Sequence, residues 1–125
     1  MSKFEYAPAP ESRSIVDIKP SYGLFIGGEF VDGHGKSFKT ISPATEEVLA
    51  EVAEADESDV DAAVRAARKA YTKVWSTMPG RERAKYLYRI ARIIQERGRE
   101  IAVLESIDNG KPIKERRDVD VPAAA

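Results

Sequence analysis

Few side chains in this sequence of 125 residues are of the types that enzymes use for nucleophilic or metal chemistry. There is no cysteine, and the only histidine, His34, lies between Gly33 and Gly35. Without cysteine the chain has no thiolate nucleophile, disulfide or thiolate metal ligand, and one histidine alone does not make a zinc site. We therefore expect His34 to be a solvated loop side chain.

Phosphate-binding and hydrolase motifs are incomplete as well. The letters GHGKS at 33–37 end like a P-loop, but Phe30 stands where the motif requires its first glycine, and a strand pattern follows instead of a helix. No G-x-S-x-G sequence is present to orient a serine nucleophile. No pair of the 21 acidic residues stands in an apolar setting that would shift a pKa. We nominate no catalytic residue from these patterns.

Composition excludes several classes of partner. Twenty basic and 21 acidic residues give a net charge of -1, so nucleic acid and anionic membrane surfaces are not expected partners. The arginine-rich stretch 81–99 is interleaved with glutamates, which favours a solvated helix face. With no apolar run long enough for a membrane span or secretory signal, we expect a globular, cytoplasmic protein.

The elements that would position any site begin with strands. Residues 1–21 contain three prolines without a sustained period and are predicted to form a flexible arm. Two β-rich runs then flank Gly27 and Gly28, a pair that tolerates the positive φ of a tight hairpin turn. SFKTI and VLAEVAEA follow as a second pair of runs. The pattern predicts two consecutive β-hairpins.

A helical period replaces the strand period after Asp56. Ser58 followed by Asp61 has the spacing of a capping box, which places the start of the first helix there. Its apolar stripe consists of Val60, Val64, Ala67, Tyr71 and Val74. We expect the single tryptophan, Trp75, to pack into a core rather than to bind a ligand.

Three further helices are predicted. The second begins at Pro79, a residue suited to a first helical turn, and breaks near Gly98, because glycine costs about 1 kcal/mol relative to alanine inside a helix. The third ends at Asn109 and Gly110, which favour left-handed backbone, and the fourth begins after Pro112. The apolar stripe of the second helix is Ala84, Leu87, Ile90, Ala91 and Ile94.

Several blocks of sequence, in this order and spacing, resemble the N-terminal part of NAD(P)-dependent aldehyde dehydrogenases. They are LFIGGEFVDG, FKTISPATEEVLAEVAEADESDVDAAVRAARKAY, PGRERAKYLYRIARIIQERGREIAVLESIDNGKPIKE and DVDVP. The resemblance covers residues 22–125 and implies the first, incomplete segment of the α/β, Rossmann-type cofactor domain. It adds nothing to the arm 1–21.

The resemblance implies a larger enzyme with a cofactor domain, a catalytic domain and a β extension that builds homodimers or tetramers. In that enzyme a cysteine thiolate attacks an aldehyde, NAD or NADP takes the hydride, and water releases the acid. No residue of this chain matches the family's catalytic or cofactor-binding positions. We therefore expect neither activity nor cofactor binding from this chain alone, and name the remainder of the dehydrogenase as its partner.

One site carries over from the resemblance. Many family members hold a monovalent cation, and the matching positions here are Thr40, Ile41 and Asp120. Carbonyl and carboxylate oxygens suit a hard cation, although Thr40 in a strand and Asp120 on a solvated helix explain the same residues. The chain also departs from the family, with Glu46 where glycine is usual; a positive φ there would cost about 1 kcal/mol.

Two hypotheses follow. In the first, the chain is an N-terminal fragment of an aldehyde dehydrogenase, because its helical pattern stops at VPAAA and its apolar stripes lack the central sheet that would cover them. The alternative is a free-standing, non-enzymatic interaction module that reuses the same fold segment. Such a module must bury its stripes itself or present them to a partner.

Overall fold

The computed structural model describes residues 12–125, in which short strands precede helices as the change of period predicts. The strands are β1 (Ser21–Tyr22), β2 (Leu24–Ile26), β3 (Glu29–Val31), β4 (Ser37–Ile41) and β5 (Val48–Ala53). The helices are α1 (Glu57–Ala70), α2 (Gly80–Glu96), α3 (Gly98–Asn109), α4 (Ile113–Glu115) and α5 (Val121–Ala124). Short turns of 3-10 helix (Arg13–Ile15) and π-helix (Tyr71–Trp75 and Arg116–Asp120) lie between them.

Both predicted hairpins are confirmed. β2 pairs antiparallel with β3 in a two-stranded sheet, and β4 pairs antiparallel with β5 in a second sheet. Gly27 and Gly28, at φ 67° and 97°, form the turn of the first hairpin as the sequence predicts. In the turn between β4 and β5, Glu46 has a φ of 59°. This is the left-handed conformation for which the family usually has glycine at this position.

The second sheet has a third strand that the sequence did not reveal. β1 lies parallel to β5, so the strand order is β1-β5-β4. The backbone N–H of Glu51 also donates to the carbonyl of Pro20 at 2.9 Å. The described end of the predicted arm 1–21 therefore contributes to the sheet, while residues 1–11 of that prediction lie outside the described range.

Helix α1 begins earlier than predicted. Asp56 is its N-cap: the backbone is extended there, and the Asp56 carboxylate accepts a hydrogen bond from the backbone N–H of Asp59 at 2.9 Å. The side chain of Asp59 accepts in return from the Asp56 N–H, which completes a capping box. The predicted box of Ser58 and Asp61 is wrong, because Ser58 already lies in the first helical turn and donates its hydroxyl to Asp56.

The later helix boundaries agree more closely with the sequence. α2 ends at Glu96, and α3 begins at Gly98, where an added Cβ would lie 3.4 Å from Cγ1 of Val121. Gly110 caps α3 with a φ of 77°, as the left-handed prediction requires. An added Cβ there would come within 2.8 Å of the ring of Pro43, so glycine is needed for space as well as for conformation.

Within the described range the buried apolar core is small. It consists of Ala50, Ala102, Val103 and Val121. The predicted stripe of α1 stays exposed, with Val64 at 58% and Tyr71 at 50% of their maximal accessible surface. Trp75 packs only partly, its ring centroid 6.1 Å from that of Tyr86. None of these helices combines the length and apolarity needed to cross a membrane.

Candidate functional site

Two clusters of charged side chains stand out in the described structure, and the first lies where the loop after β3 meets the start of α1. We call His34, Asp56 and Asp59 the N-cap cluster; its candidate ligand atoms lie within 4.8 Å of one another. The side chain of Asp59 is buried, with 3% exposed, whereas that of His34 is 76% exposed. The cluster therefore has one buried carboxylate and one solvated imidazole.

Both oxygens of Asp59 are occupied by hydrogen bonds. Oδ2 accepts the backbone N–H groups of His34 at 2.9 Å and Asp56 at 3.2 Å. Oδ1 lies 2.6 Å from Nδ1 of His34, and because an ionised carboxylate only accepts, Nδ1 carries the proton. These donors make the cluster a helix cap joined to a loop.

The pKa values in the N-cap cluster follow from these contacts. The hydrogen bonds from the His34 backbone and side chain lower the pKa of Asp59 to about 2, against the opposing effect of desolvation. The same side-chain hydrogen bond and the charge of Asp59 raise the pKa of His34 above 6.5. Solvation of His34 was expected from its glycine-flanked position; its buried partner, 25 residues away in sequence, was not.

The second cluster joins α3 to the end of the described chain, and we call Glu105, Lys111, Arg116 and Asp120 the C-terminal cluster. Arg116 bonds to the carboxylate of Glu105, and its Nη1 lies 2.8 Å from Oδ2 of Asp120. The ammonium of Lys111 lies 2.6 Å from the same oxygen. These cations lower the pKa of Asp120, the Lys111 hydrogen bond being the largest cause.

The residues of the predicted cation site have other partners in the structure. The Thr40 hydroxyl donates to the carboxylate of Asp108 on α3, and a register irregularity in the β4–β5 ladder falls between Thr40 and Ile41. Among the described hydrogen bonds, none joins either residue to Asp120, whose Oδ2 already faces Lys111 and Arg116. A metal ion at that oxygen would compete with two resident cations. The site stays a prediction.

Two apolar grooves are open on the described surface. One, of about 410 Å³, lies between the three-stranded sheet and α3 and includes Ile18, Tyr22 and Leu104. Another, of about 480 Å³, lies along the π-helical turn after α1 and includes Val74, Trp75 and Tyr86. Their linings are mainly hydrophobic, which suits packing against another apolar surface.

Comparison with known proteins decides the family. The model of the aldehyde dehydrogenase family matches residues 30–125, which is most of the chain. The chain belongs to the aldehyde dehydrogenase family. Aldehyde dehydrogenase 1 of Tanacetum cinerariifolium is 54% identical over 99 residues, covering 78% of this chain and 20% of that protein. The benzaldehyde dehydrogenase of Antirrhinum majus mitochondria is 39% identical, over 95% of this chain and 24% of that protein.

Solved aldehyde dehydrogenases share the fold. A mutant of the Bacillus cereus enzyme superposes with a TM-score of 0.84 at 42% identity, over 94% of this chain and 24% of that chain. The NAD+ complex of the same enzyme gives a TM-score of 0.78 at 48% identity, over 82% of this chain and 21% of that chain. The α/β fold of an incomplete N-terminal aldehyde dehydrogenase segment is thus confirmed, and the chain spans about a fifth to a quarter of these relatives' length.

Proposed function

We propose that this chain is a scaffold segment of an NAD(P)-dependent aldehyde dehydrogenase and contributes no reacting group of its own. The family match over residues 30–125 is the observation that carries the proposal. The polar clusters support it, because their carboxylates hold backbone N–H groups, lysine and arginine. The segment's contribution is to hold loops and helices in place for residues elsewhere in the polypeptide.

In the whole enzyme the reaction would be oxidation of an aldehyde to a carboxylic acid. A cysteine thiolate, which this chain lacks, adds to the carbonyl carbon to form a thiohemiacetal. The carbon then gives a hydride to NAD or NADP, and water cleaves the resulting thioester to release the acid and the thiol. Homodimers or tetramers are the proposed assembly, with the remainder of the dehydrogenase as the immediate partner of this segment.

The exposed apolar faces explain why a scaffold segment needs that partner. Leu87 and Ile90 on α2 are 60% and 54% exposed, and Val60 and Val64 on α1 are exposed to a similar degree. Burying such side chains stabilises a protein by roughly 1.5–3 kcal/mol each. Within the described residues these side chains stay largely exposed, so most of this stabilisation is not gained. Such exposure fits a segment that packs against the rest of a larger domain.

A chimeric enzyme tests the proposal. Residues 22–125 would replace the matching segment of the Bacillus cereus aldehyde dehydrogenase, to which this chain is 48% identical. We expect the chimera to be folded and to reduce NAD+ with an aldehyde, while the 125-residue chain alone reduces none. A folded chimera without activity, or aldehyde-dependent NAD+ reduction by the chain alone, would contradict the proposal. The parent enzyme and the same enzyme with the segment deleted are the controls.

A further inference from the structure

The N-cap cluster joins pieces of the chain that are distant in sequence. The loop between β3 and β4 connects the two sheets, and the carboxylate of Asp59 ties that loop to the first turn of α1 through His34. We propose that Asp59 and His34 form a pH-sensitive latch, which holds this loop against α1 more tightly when the imidazole is protonated.

The loop is shaped for close approach to the helix. Gly33 has a φ of 82°, and an added Cβ there would lie 3.1 Å from Cδ1 of Leu24 and 3.5 Å from Oδ2 of Asp59. An added Cβ at Gly35 would lie 2.0 Å from the carbonyl oxygen of Glu54. Because Gly33 and Gly35 have no Cβ, the backbone on both sides of His34 can approach the residues that precede α1 closely.

The latch contains one bond that is insensitive to pH near neutrality and one that is sensitive. The backbone N–H of His34 donates to Oδ2 of Asp59 at 2.9 Å whatever the charge of the imidazole, because Asp59, with a pKa of about 2, stays ionised. The contact of Nδ1 with Oδ1 at 2.6 Å gains a full opposite charge only when His34 is protonated. Deprotonation therefore loosens the latch without opening it fully.

The two carboxylates at the start of α1 favour the protonated form of His34. Asp59 and Asp56, from the start of α1, both raise the pKa of His34. The other titratable groups of the packed segments are Asp32 and Lys36 in the loop, Glu54 after β5 and Glu57 in the first turn of α1. Because the pKa of His34 is raised on folding, its contribution is complete below the ordinary value of 6.5 and is lost as pH rises through the folded value.

The segment 22–125 is suited to a test because His34 is its single histidine and it has no cysteine. No other side chain of the segment has an ordinary pKa between about 5 and 8, and a histidine of the host enzyme would act equally on the His34→Gln variant. Hydrogen exchange would be measured on the chimeric enzyme at about pH 5.5 and about pH 8, on either side of the ordinary histidine pKa of about 6.5. Rates would be corrected for intrinsic exchange and compared with amides of the β4–β5 pairing.

We expect the protection of the His34 amide, relative to the β4–β5 amides, to fall severalfold between the lower and the higher pH. In His34→Gln, which keeps a neutral donor, protection should be the same at both values and close to that of the wild type at high pH. Asp59→Asn should lose protection at both. Asp61→Asn, in the exposed ion pair with Arg65, should behave as the wild type and serves as the matched control.

Equal protection of the His34 amide at both pH values in the wild type would overturn the proposal. So would a pH response that survives in His34→Gln, because it would belong to another group. If Asp59→Asn unfolds the segment, the comparison of wild type with His34→Gln still decides the matter.

Discussion

At the scale of single residues, Glu46 and Gly110 are two left-handed backbone positions that constrain turns. Glu46 has a φ of 59° in the turn between β4 and β5, where its N–H donates to the carbonyl of Ser42 at 2.8 Å. Gly110 has a φ of 77° and lies against Pro43 in the same region of the molecule. A side chain at either position therefore opposes the turn, for conformational reasons at the first and also for steric reasons at the second.

Replacing Glu46 with glycine should stabilise the folded segment. Left-handed backbone costs a non-glycine residue about 1 kcal/mol or more, part of which is offset by the greater freedom of glycine in the unfolded chain. We expect Glu46→Gly to raise the melting temperature of the chimeric enzyme, with a gain below about 1 kcal/mol. Glu46→Ala, which keeps the strain, is the control, and an equal rise in both variants would contradict the explanation.

Replacing Gly110 with alanine should destabilise the segment. The new Cβ would meet the Pro43 ring at 2.8 Å in addition to the left-handed φ. Gly28→Ala is a matched control, since Gly28 also has a positive φ but its added Cβ would meet nothing within 4 Å. We expect Gly110→Ala to lower the melting temperature of the chimeric enzyme more than Gly28→Ala does, and equal losses would exclude the steric part.

At the scale of elements, the sequence predicted the turns and helix ends that depend on neighbouring residues. Positive φ angles form the turn of the first hairpin and end helix α3. The sequence indicates both, because glycine stands at 27, 28 and 110. The cap of α1 was misplaced because Asp56 and Ser58 are both good N-caps, and only the observed extended backbone distinguishes them. The two-residue strand β1 was missed because its partner, β5, lies about thirty residues away.

The observed cap of α1 can be tested against the predicted one. Asp56→Ala removes the acceptor for the Asp59 N–H, whereas Ser58→Ala removes only a hydroxyl that donates to Asp56. Hydrogen exchange at the amides of Asp59 and Val60 should therefore accelerate strongly in Asp56→Ala and little in Ser58→Ala. Faster exchange in Ser58→Ala than in Asp56→Ala would contradict the observed cap and support the predicted capping box of Ser58 and Asp61.

The candidate sites show the same difference: features that depend on residue type could be predicted, and contacts between residues distant in sequence could not. Residue types predict that this chain holds no catalytic set, since it has no cysteine and one histidine, and this stays a prediction. The bond between His34 and Asp59 could not, because it spans 25 residues and depends on how the loop folds back on α1. The partners of Thr40 and Asp120 were likewise set by the docking of α3 and the C-terminal turns.

At the scale of the whole molecule, the exposed apolar surface dominates. The aromatic rings of Phe25 and Phe30, with centroids 4.9 Å apart, pack against each other on a hairpin that leaves Phe30 84% exposed. Residues of the α1 and α2 stripes are also more than half exposed, namely Val60, Val64, Leu87 and Ile90. The buried apolar core of the described residues consists of alanine and valine. We therefore expect the described residues on their own to gain too little from burial to offset the conformational entropy of folding.

The most direct measurement is size-exclusion chromatography combined with circular dichroism on the purified chain, with and without NAD. Because we propose that the rest of a dehydrogenase covers its apolar faces, we expect the chain alone to be a self-associated or loosely helical species that melts without a sharp transition. NAD should change neither its size nor its spectrum. A monomer with a sharp two-state melt would contradict the scaffold role and favour an autonomous interaction module.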